Sequence, residues 1–276
     1  MKLVDIARLT IRETQRRRIL WVGALMGTGF LVIYGLGFHF IYLDLSKHMT
    51  PEEFGAPFLF LTLAGLYVSN FLVIIVSVLI SVATISGEIE SHTIESLLSK
   101  PIARWELIIG KWLGYALIIL VYVLLLPGGV LLIVYLRSGF TLNNIPLGLA
   151  LIYLEGLIGL SISIAGGTRL STLANGALAL MLFGLGFVGG WIEQLGAVFR
   201  NETAVDIGII SSLLMPTETL WRKATVLFEP QIGGGMEIAG PFIVAAQPSD
   251  MMILYSVLYI IALLALALFL FTRRDI

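Results

Sequence analysis

Six long apolar stretches dominate the sequence, and they constrain its fold more than any other feature. A helix needs roughly 20 consecutive apolar residues to cross the hydrocarbon core of a bilayer. Lipid cannot hydrogen-bond the backbone, so such a stretch must satisfy its own backbone groups as a helix. We therefore predict an all-α integral membrane protein. Its predicted spans are 19–43, 57–85, 105–136, 145–167, 173–191 and 251–271.

The composition excludes several other classes of protein. Only 13% of the residues are charged, against about a quarter in a typical soluble domain. Cysteine is absent, which excludes disulfides, thiolate metal sites and thiol nucleophiles. The three histidines are far apart in the sequence, and no hydrolase or metalloprotease motif is present. We predict no metal site, no catalytic residues and no nucleic-acid partner.

The distribution of basic residues predicts the orientation in the membrane. With the N-terminus inside, 12 of the 17 lysines and arginines flank the spans on the inner side. Cytoplasmic loops carry this excess in membrane proteins. We therefore predict a multi-pass protein of the cytoplasmic membrane with both termini in the cytoplasm.

Two segments outside the spans have a predicted position at the membrane. Residues 1–18 form a basic amphipathic pattern, which is typical of a helix in the headgroup layer. Residues 192–250 form an outer segment, and its apolar run 203–215 is too short to cross. We predict a re-entrant or interfacial arrangement there. A helix around Trp221 should rest at the outer interface, with Glu218 and Arg222 on its polar face.

The loop between the second and third spans, residues 86–100, predicts a short amphipathic helix. Glu88, Glu95 and Ser99 share one helical face, while Leu97 and Leu98 share another. Pro101 then fits the first turn of the following helix. A stiff helix held between two spans can transmit motion to both of them; a solvated loop helix has the same pattern.

This loop resembles the corresponding loop of type-two ABC exporter permeases. The resemblance rests on an acidic run with Thr, then Leu-Leu-Ser-x-Pro, an Arg and a Gly-Lys pair. The matching residues here are Glu88, Glu90, Thr93, Glu95, Leu97, Leu98, Ser99, Pro101, Arg104, Gly110 and Lys111. His92 departs from the family pattern, in which a small residue is usual. The stretch from Pro216 to Arg222 is similar to one in the subgroup with the permease for nitrous-oxide reductase maturation.

The resemblance implies a permease whose coupling helix, 86–100, docks on a separate ABC ATPase subunit. It also implies export, a prokaryotic cell membrane, and a second permease that is either an identical or a similar chain. This sequence has no Gly-x4-Gly-Lys-Ser/Thr motif of its own. No cofactor is therefore expected in this chain, and ATP with magnesium would bind the partner.

Polar residues inside the spans are candidates for a substrate pathway. Glu155 lies near the middle of the fourth span and Asn70 lies in the second. An intramembrane carboxyl group suggests a function, although a hydrogen bond to a neighbouring helix explains it equally simply. The glycine pairs at 110 and 114 and at 186 and 189 favour close helix packing.

Three alternative functions remain open from the sequence. An ion-coupled secondary carrier should have several intramembrane charges and inverted repeats, and only one central carboxylate is evident. An intramembrane enzyme should have a paired catalytic constellation. A membrane scaffold without transport is the third alternative.

Overall fold

The computed structural model describes residues 2–90, 103–229 and 244–273, and these residues form helices without strands. The described residues contain ten α-helices. They are α1 (Lys2–Arg16), α2 (Arg18–His48), α3 (Gly55–Ser81), α4 (Ser86–Glu90), α5 (Arg104–Ser138), α6 (Ile145–Gly167), α7 (Thr172–Phe199), α8 (Glu202–Leu214), α9 (Thr217–Phe228) and α10 (Met251–Thr272).

The prediction of six membrane spans is confirmed. Within the described residues six helices are long and apolar enough to cross a membrane, namely α2, α3, α5, α6, α7 and α10. Most bounds lie within a few residues of the predicted ones. The main difference is α7, which continues to Phe199 rather than ending at 191, because the apolar pattern persists through Leu195 and Val198.

Local signals explain where several helices begin and end. Gly139 ends α5 in the left-handed conformation, with φ of 70°, which favours glycine. The Glu106 carboxylate accepts a hydrogen bond from the Ala103 backbone at 2.9 Å at the start of α5. At the starts of α7 and α8, the Ser171 and Asn201 side chains accept hydrogen bonds from the backbone amides of Ala174 and Ala204.

The centre of the bundle is built from α3, α5 and α6. These helices bury many large apolar side chains, including Leu66, Ile119 and Ile158. The helices α2 and α10 lie at the periphery, with large apolar side chains such as Val32 and Leu258 exposed. An exposed apolar helix surface is what a membrane span presents to lipid.

Helix α1 packs against α5 through the predicted small-residue pair. An added Cβ at Gly110 would lie 2.7 Å from Ile6, and one at Gly114 would lie 2.8 Å from Thr10. Glycine is therefore needed for the close approach of these two helices. The opposite face of α1 exposes Arg8 and Arg12, so the basic face of the predicted interface helix is available to headgroups.

Helices α8 and α9 form a re-entrant hairpin. Helix α8 returns antiparallel along α7, where an added Cβ at Gly196 would touch Ala204 and one at Gly186 would touch Met215. Because Gly186 is in the middle of α7, the tip of the hairpin at Met215 reaches the middle of the bundle. The sequence predicted a re-entrant or interfacial arrangement for this segment, and the structure shows α8 packed back along α7 into the bundle.

The predicted surface position of the helix around Trp221 is wrong. Helix α9 is buried: Trp221 and Arg222 are each 3% exposed, and Phe228 is fully enclosed. The Phe228 ring fills the space left by Gly148 at the start of α6. The helix is amphipathic, but its polar face turns inward because Arg222 pairs with Glu193 on α7.

Candidate functional site

Two predicted pathway residues meet in the centre of the bundle. The Asn70 side-chain amide on α3 donates a hydrogen bond to Glu155 Oε2 on α6 at 2.9 Å. Glu155 is completely buried and Asn70 is 5% exposed. Asn70 Oδ1 and Glu155 Oε1 have no hydrogen-bond partner among the described residues. The sequence proposed these residues separately, and the fold brings them into one site.

A small cavity of about 10 Å³ lies beside this pair. Polar groups on three helices line it: Tyr67 and Asn70 from α3, Glu155 from α6 and Glu218 from α9. Its apolar wall includes Phe71 and Phe183, whose ring centroids are 5.3 Å apart. The cavity therefore combines two carboxyl groups, an amide and a phenol in apolar surroundings.

A buried ion pair lies on the outer side of this cavity. Arg222 Nη2 on α9 donates to Glu193 Oε2 on α7 at 2.6 Å. The same guanidinium donates from Nη1 to the Ala246 carbonyl at 3.3 Å. A buried charge requires such a partner, because desolvating it alone costs several kcal/mol. Arg222 therefore joins three parts of the outer half of the protein: α7, α9 and the segment before α10.

The segment before α10 is held on the outer end by further polar contacts. The Gln194 side-chain oxygen accepts from the backbone amides of Ala245 and Ala246, at 2.9 and 3.1 Å. Lys223 forms an ion pair with Asp250 at 2.5 Å. Residues 244–250 are thus fixed to α7 and α9.

The burial of Glu218 changes its acidity. Glu218 lies in the re-entrant hairpin rather than in one of the six candidate spans. Burial raises the pKa of its carboxyl to about 7; the nearby Arg222 lowers the pKa, and Glu193 raises it further. Burial therefore brings the pKa of the Glu218 carboxyl close to neutral pH.

At the predicted cytoplasmic end, a second buried ion pair connects the coupling segment to α5. Lys111 on α5 pairs with Glu88 on α4, and the two residues are 4% and 7% exposed. Glu88 was predicted on an exposed polar stripe, but here its carboxylate faces the bundle. Ser86 also hydrogen-bonds Thr172 at the start of α7, with 2.9 Å between the hydroxyl oxygens.

Arg104 connects the start of α5 to the end of α10. Its Nη1 donates to the carbonyls of Phe271 and Thr272, each at 3.1 Å. A cation at a helix C-terminus is favourable there. Glu90 ends the described part of α4. The other predicted coupling residues lie outside the described residues: Thr93, Glu95, Leu97, Leu98 and Pro101.

Several polar residues inside the spans join neighbouring helices. The Asn175 amide donates to the carbonyls of Val82 at 3.0 Å and Ser163 at 2.7 Å. The Trp112 indole donates to the Ser161 hydroxyl at 3.0 Å. These side chains satisfy backbone and hydroxyl groups that lipid could not.

Sequence reasoning missed Glu193 as a site residue and misplaced Glu218 and Arg222. Glu193 lies only two residues beyond the predicted end of the fifth span, so it was counted with the outer segment. A usable signal was present: an acidic residue within a continuing apolar helical run needs a partner. The amphipathic stretch around Trp221 carries an arginine that can supply it.

The fold and the site define a class of protein. Six apolar helices, a re-entrant hairpin and a polar centre are the architecture of a polytopic membrane protein with groups buried at membrane depth. The model for ABC-2 family transporter proteins matches residues 6–276. This match covers almost the whole chain, and the chain belongs to that family. No curated protein matches the sequence significantly. The protein is thus a membrane component of a transport system.

Proposed function

We propose that this chain is the permease subunit of an ABC exporter that is driven by a separate ATPase subunit. The observation that carries the proposal is the family match over residues 6–276. ATP with magnesium would bind the ATPase, and two permeases, identical or similar, would complete the complex. The Pro216–Arg222 stretch supports a relationship to the subgroup with the nitrous-oxide reductase maturation permease.

The contacts around α4 suggest how force from the ATPase would enter the bundle. Helix α4 follows α3 and is tied to α5 by the buried Glu88–Lys111 pair. A push on residues 86–100 would therefore move α3 and α5 together. Arg104 would extend this movement to α10 through its contacts with Phe271 and Thr272. The ATPase can shift the permease between two conformations only if it binds one of them more tightly than the other.

The proposed pathway passes the Asn70–Glu155 pair. Both residues are at the junction of α3 and α6, the two helices that border the central cavity together with α7 and α9. A movement of α3 would change this junction directly. The segment 244–250, anchored through Arg222 and Gln194, would close the outer exit.

Affinity purification tests the proposal. The full chain, tagged and extracted from its native membrane in mild detergent, should retain a protein with a Walker motif and ATPase activity. Replacing both Leu97 and Leu98 by Asp should release that protein. Replacing Leu213 and Leu214, which are exposed on α8, should not. An oligomer of this chain alone, without ATPase activity in several detergents, would contradict the proposal.

Site-directed cross-linking gives a second test, because the chain contains no native cysteine. Glu95→Cys should cross-link to the ATPase. Glu202→Cys, at the start of α8 on the outer end, is the matched control and should not react with it. Absence of a cross-link from every position between 91 and 99 would exclude docking at this loop.

The secondary-carrier alternative predicts a different result. A carrier that moves substrate with an ion would transport without ATP hydrolysis. Transport in proteoliposomes that contain the purified complex should stop when ATP is omitted or when the Walker lysine of the ATPase is replaced. Transport driven by an ion gradient alone would favour the carrier.

A further inference from the structure

The centre of the bundle holds more acidic than basic groups. Around the small cavity are Glu155 and Glu218, and next to them Glu193 and Arg222. Arg222 directly neutralises Glu193. If all four groups were ionised, two negative charges would remain without a direct partner in low-dielectric surroundings. Two neighbouring carboxylates in such a place cannot both ionise readily.

In the part of the chain that the structure describes, the other helices around Glu155 supply no further cation at this level. On α3 the facing groups are Tyr67 and Asn70; on α5 the residue packed against Gly156 is Ile119. Lys111, lower on α5, is engaged with Glu88. The α10 hydroxyls of Tyr255 and Tyr259 donate to the carbonyls of Leu213 and Leu214, at 2.5 and 2.8 Å. Among the described residues, Glu218 is the charged group that acts electrostatically on Glu155.

The cavity has the size and polarity to hold one water molecule. A volume of about 10 Å³ is roughly the minimum for one water, which also needs two or more polar partners. Glu155 Oε1 and Asn70 Oδ1 are both buried acceptors without a partner among the described residues. A water there would donate to these two oxygens and approach the Glu218 carboxyl, which lines the same cavity.

We infer that Glu155 and Glu218 form a proton-binding site that holds one dissociable proton, which passes between the two carboxyl groups through a water in this cavity. In the transfer, the Glu218 carboxyl gives its proton to the water as the water gives one of its own to Glu155 Oε1. The O–H bond of Glu218 breaks, the water loses one O–H bond as it gains another, and a new O–H bond forms at Glu155 Oε1, so no other reactant is needed. Glu218 is the partly exposed member, and it connects the buried Glu155 to the hairpin.

The proton also stabilises the position of the hairpin. With one proton bound, the tip of the hairpin can rest beside α6 without repulsion between two carboxylates. Loss of the proton leaves two like charges facing each other across the cavity, which disfavours this position. The site would therefore couple the position of the α8–α9 hairpin to pH. The inference depends on the geometry of this chain and does not require the ATPase proposed above.

Infrared spectroscopy of the purified full chain in lipid nanodiscs tests the site. The wild-type protein should show the C=O band of a protonated carboxylic acid at neutral pH. Glu155→Gln and Glu218→Gln should each abolish or shift that band. Glu202→Gln, an exposed residue at the start of α8, should leave it unchanged. A spectrum without this band at neutral pH, or a band that neither cavity variant changes, would overturn the inference.

Thermal stability against pH gives a readout that needs neither activity nor a partner. A carboxyl group whose pKa is raised in the folded state contributes stability at low pH, and that contribution is lost as pH rises through the folded-state value. The Tm of the wild type should therefore fall by roughly 3 °C more than that of Glu218→Gln between about pH 6 and about pH 8. Equal slopes for the wild type and the variant would contradict the inference.

Discussion

Two buried ion pairs, one in the predicted cytoplasmic half and one in the predicted outer half of the bundle, differ in their surroundings. Glu88 and Lys111 are one acid and one base, and they fix α4, the start of the predicted coupling helix, to α5. Glu193 and Arg222 are also paired, but Glu218 and Glu155 lie beside them. The first region is electrically balanced, and in the proposed mechanism it would transmit force from the ATPase. The second has an excess of acid, so its packing depends on a proton or a rearrangement.

The helix contacts in the two regions also differ in whether they involve charged groups. Near Lys111, the α5 glycines Gly110 and Gly114 bring α1 close at Ile6 and Thr10. On the other side of the bundle, glycines of α7 bring the hairpin close, and its polar residues then face inward. The α1–α5 contact therefore involves close apolar approach, whereas the contact of the hairpin with α7 also needs charge compensation. Four substitutions, from the largest expected effect to the smallest, test this comparison.

Replacing Lys111 by Met should have the largest effect. The change leaves the Glu88 carboxylate buried without its countercharge, and breaking a buried pair in this way costs about 3–5 kcal/mol. We expect a large loss of folded protein, measured by fluorescence-detected gel filtration after heating. The double variant Glu88→Gln/Lys111→Met should recover most of the stability. Equal losses in the single and double variants would show that the pair is not what stabilises this junction.

Arg222→Met should cost slightly less, about 3 kcal/mol, because Glu193 lies nearer the outer end and can regain some water. The loss of the Arg222 contact to Ala246 should also loosen residues 244–250. Limited proteolysis should then cleave this segment faster than in the wild type. Lys47→Met, which removes an exposed cation near the end of α2, is the control and should change the cleavage rate little. A proteolysis pattern unchanged in Arg222→Met would contradict the proposed anchoring.

Gly189→Ala should destabilise the outer half by about 1–3 kcal/mol, the usual cost of overpacking. An added Cβ at this position would overlap the Ser211 side chain on α8. Gly184→Ala, on the same helix with nothing within 4 Å of the added atom, is the matched control. Tm values of the two variants should therefore differ by several degrees. Similar values would mean that α8 does not pack on α7 at this level.

Arg104→Met should have the smallest effect, about 0.5–1 kcal/mol, because it removes a partly exposed cation from the C-terminus of α10. The stability of the variant should decrease only slightly. If Arg104 transmits movement to α10, the stimulated ATPase activity of the complex should decrease more. Arg169→Met, an exposed residue after α6, is the control for the loss of a positive charge. A stability loss as large as that of Lys111→Met would assign Arg104 a mainly structural role.

Much of the fold could be predicted because lipid leaves few alternatives to helices. Length, composition and spacing predict the six spans, the glycines at helix contacts and the polar residues that hydrogen-bond to neighbouring helices. The bounds failed at Phe199, since an apolar run does not show where a helix leaves the membrane. The candidate site was predicted only in part: Glu155 and Asn70 were named, but Glu218 was assigned to a surface helix.

The sequence by itself determined that this chain is a helical membrane protein, which residues cross the bilayer and which loop resembles a coupling helix. These properties depend on the transfer of short segments into lipid, and each segment carries its own signal. Tertiary structure decided that Asn70 meets Glu155, that Lys111 pairs with Glu88, and that Arg222 turns inward to Glu193. Such contacts join residues on different helices. They depend on helix rotation and depth, which are fixed only when all the helices pack together.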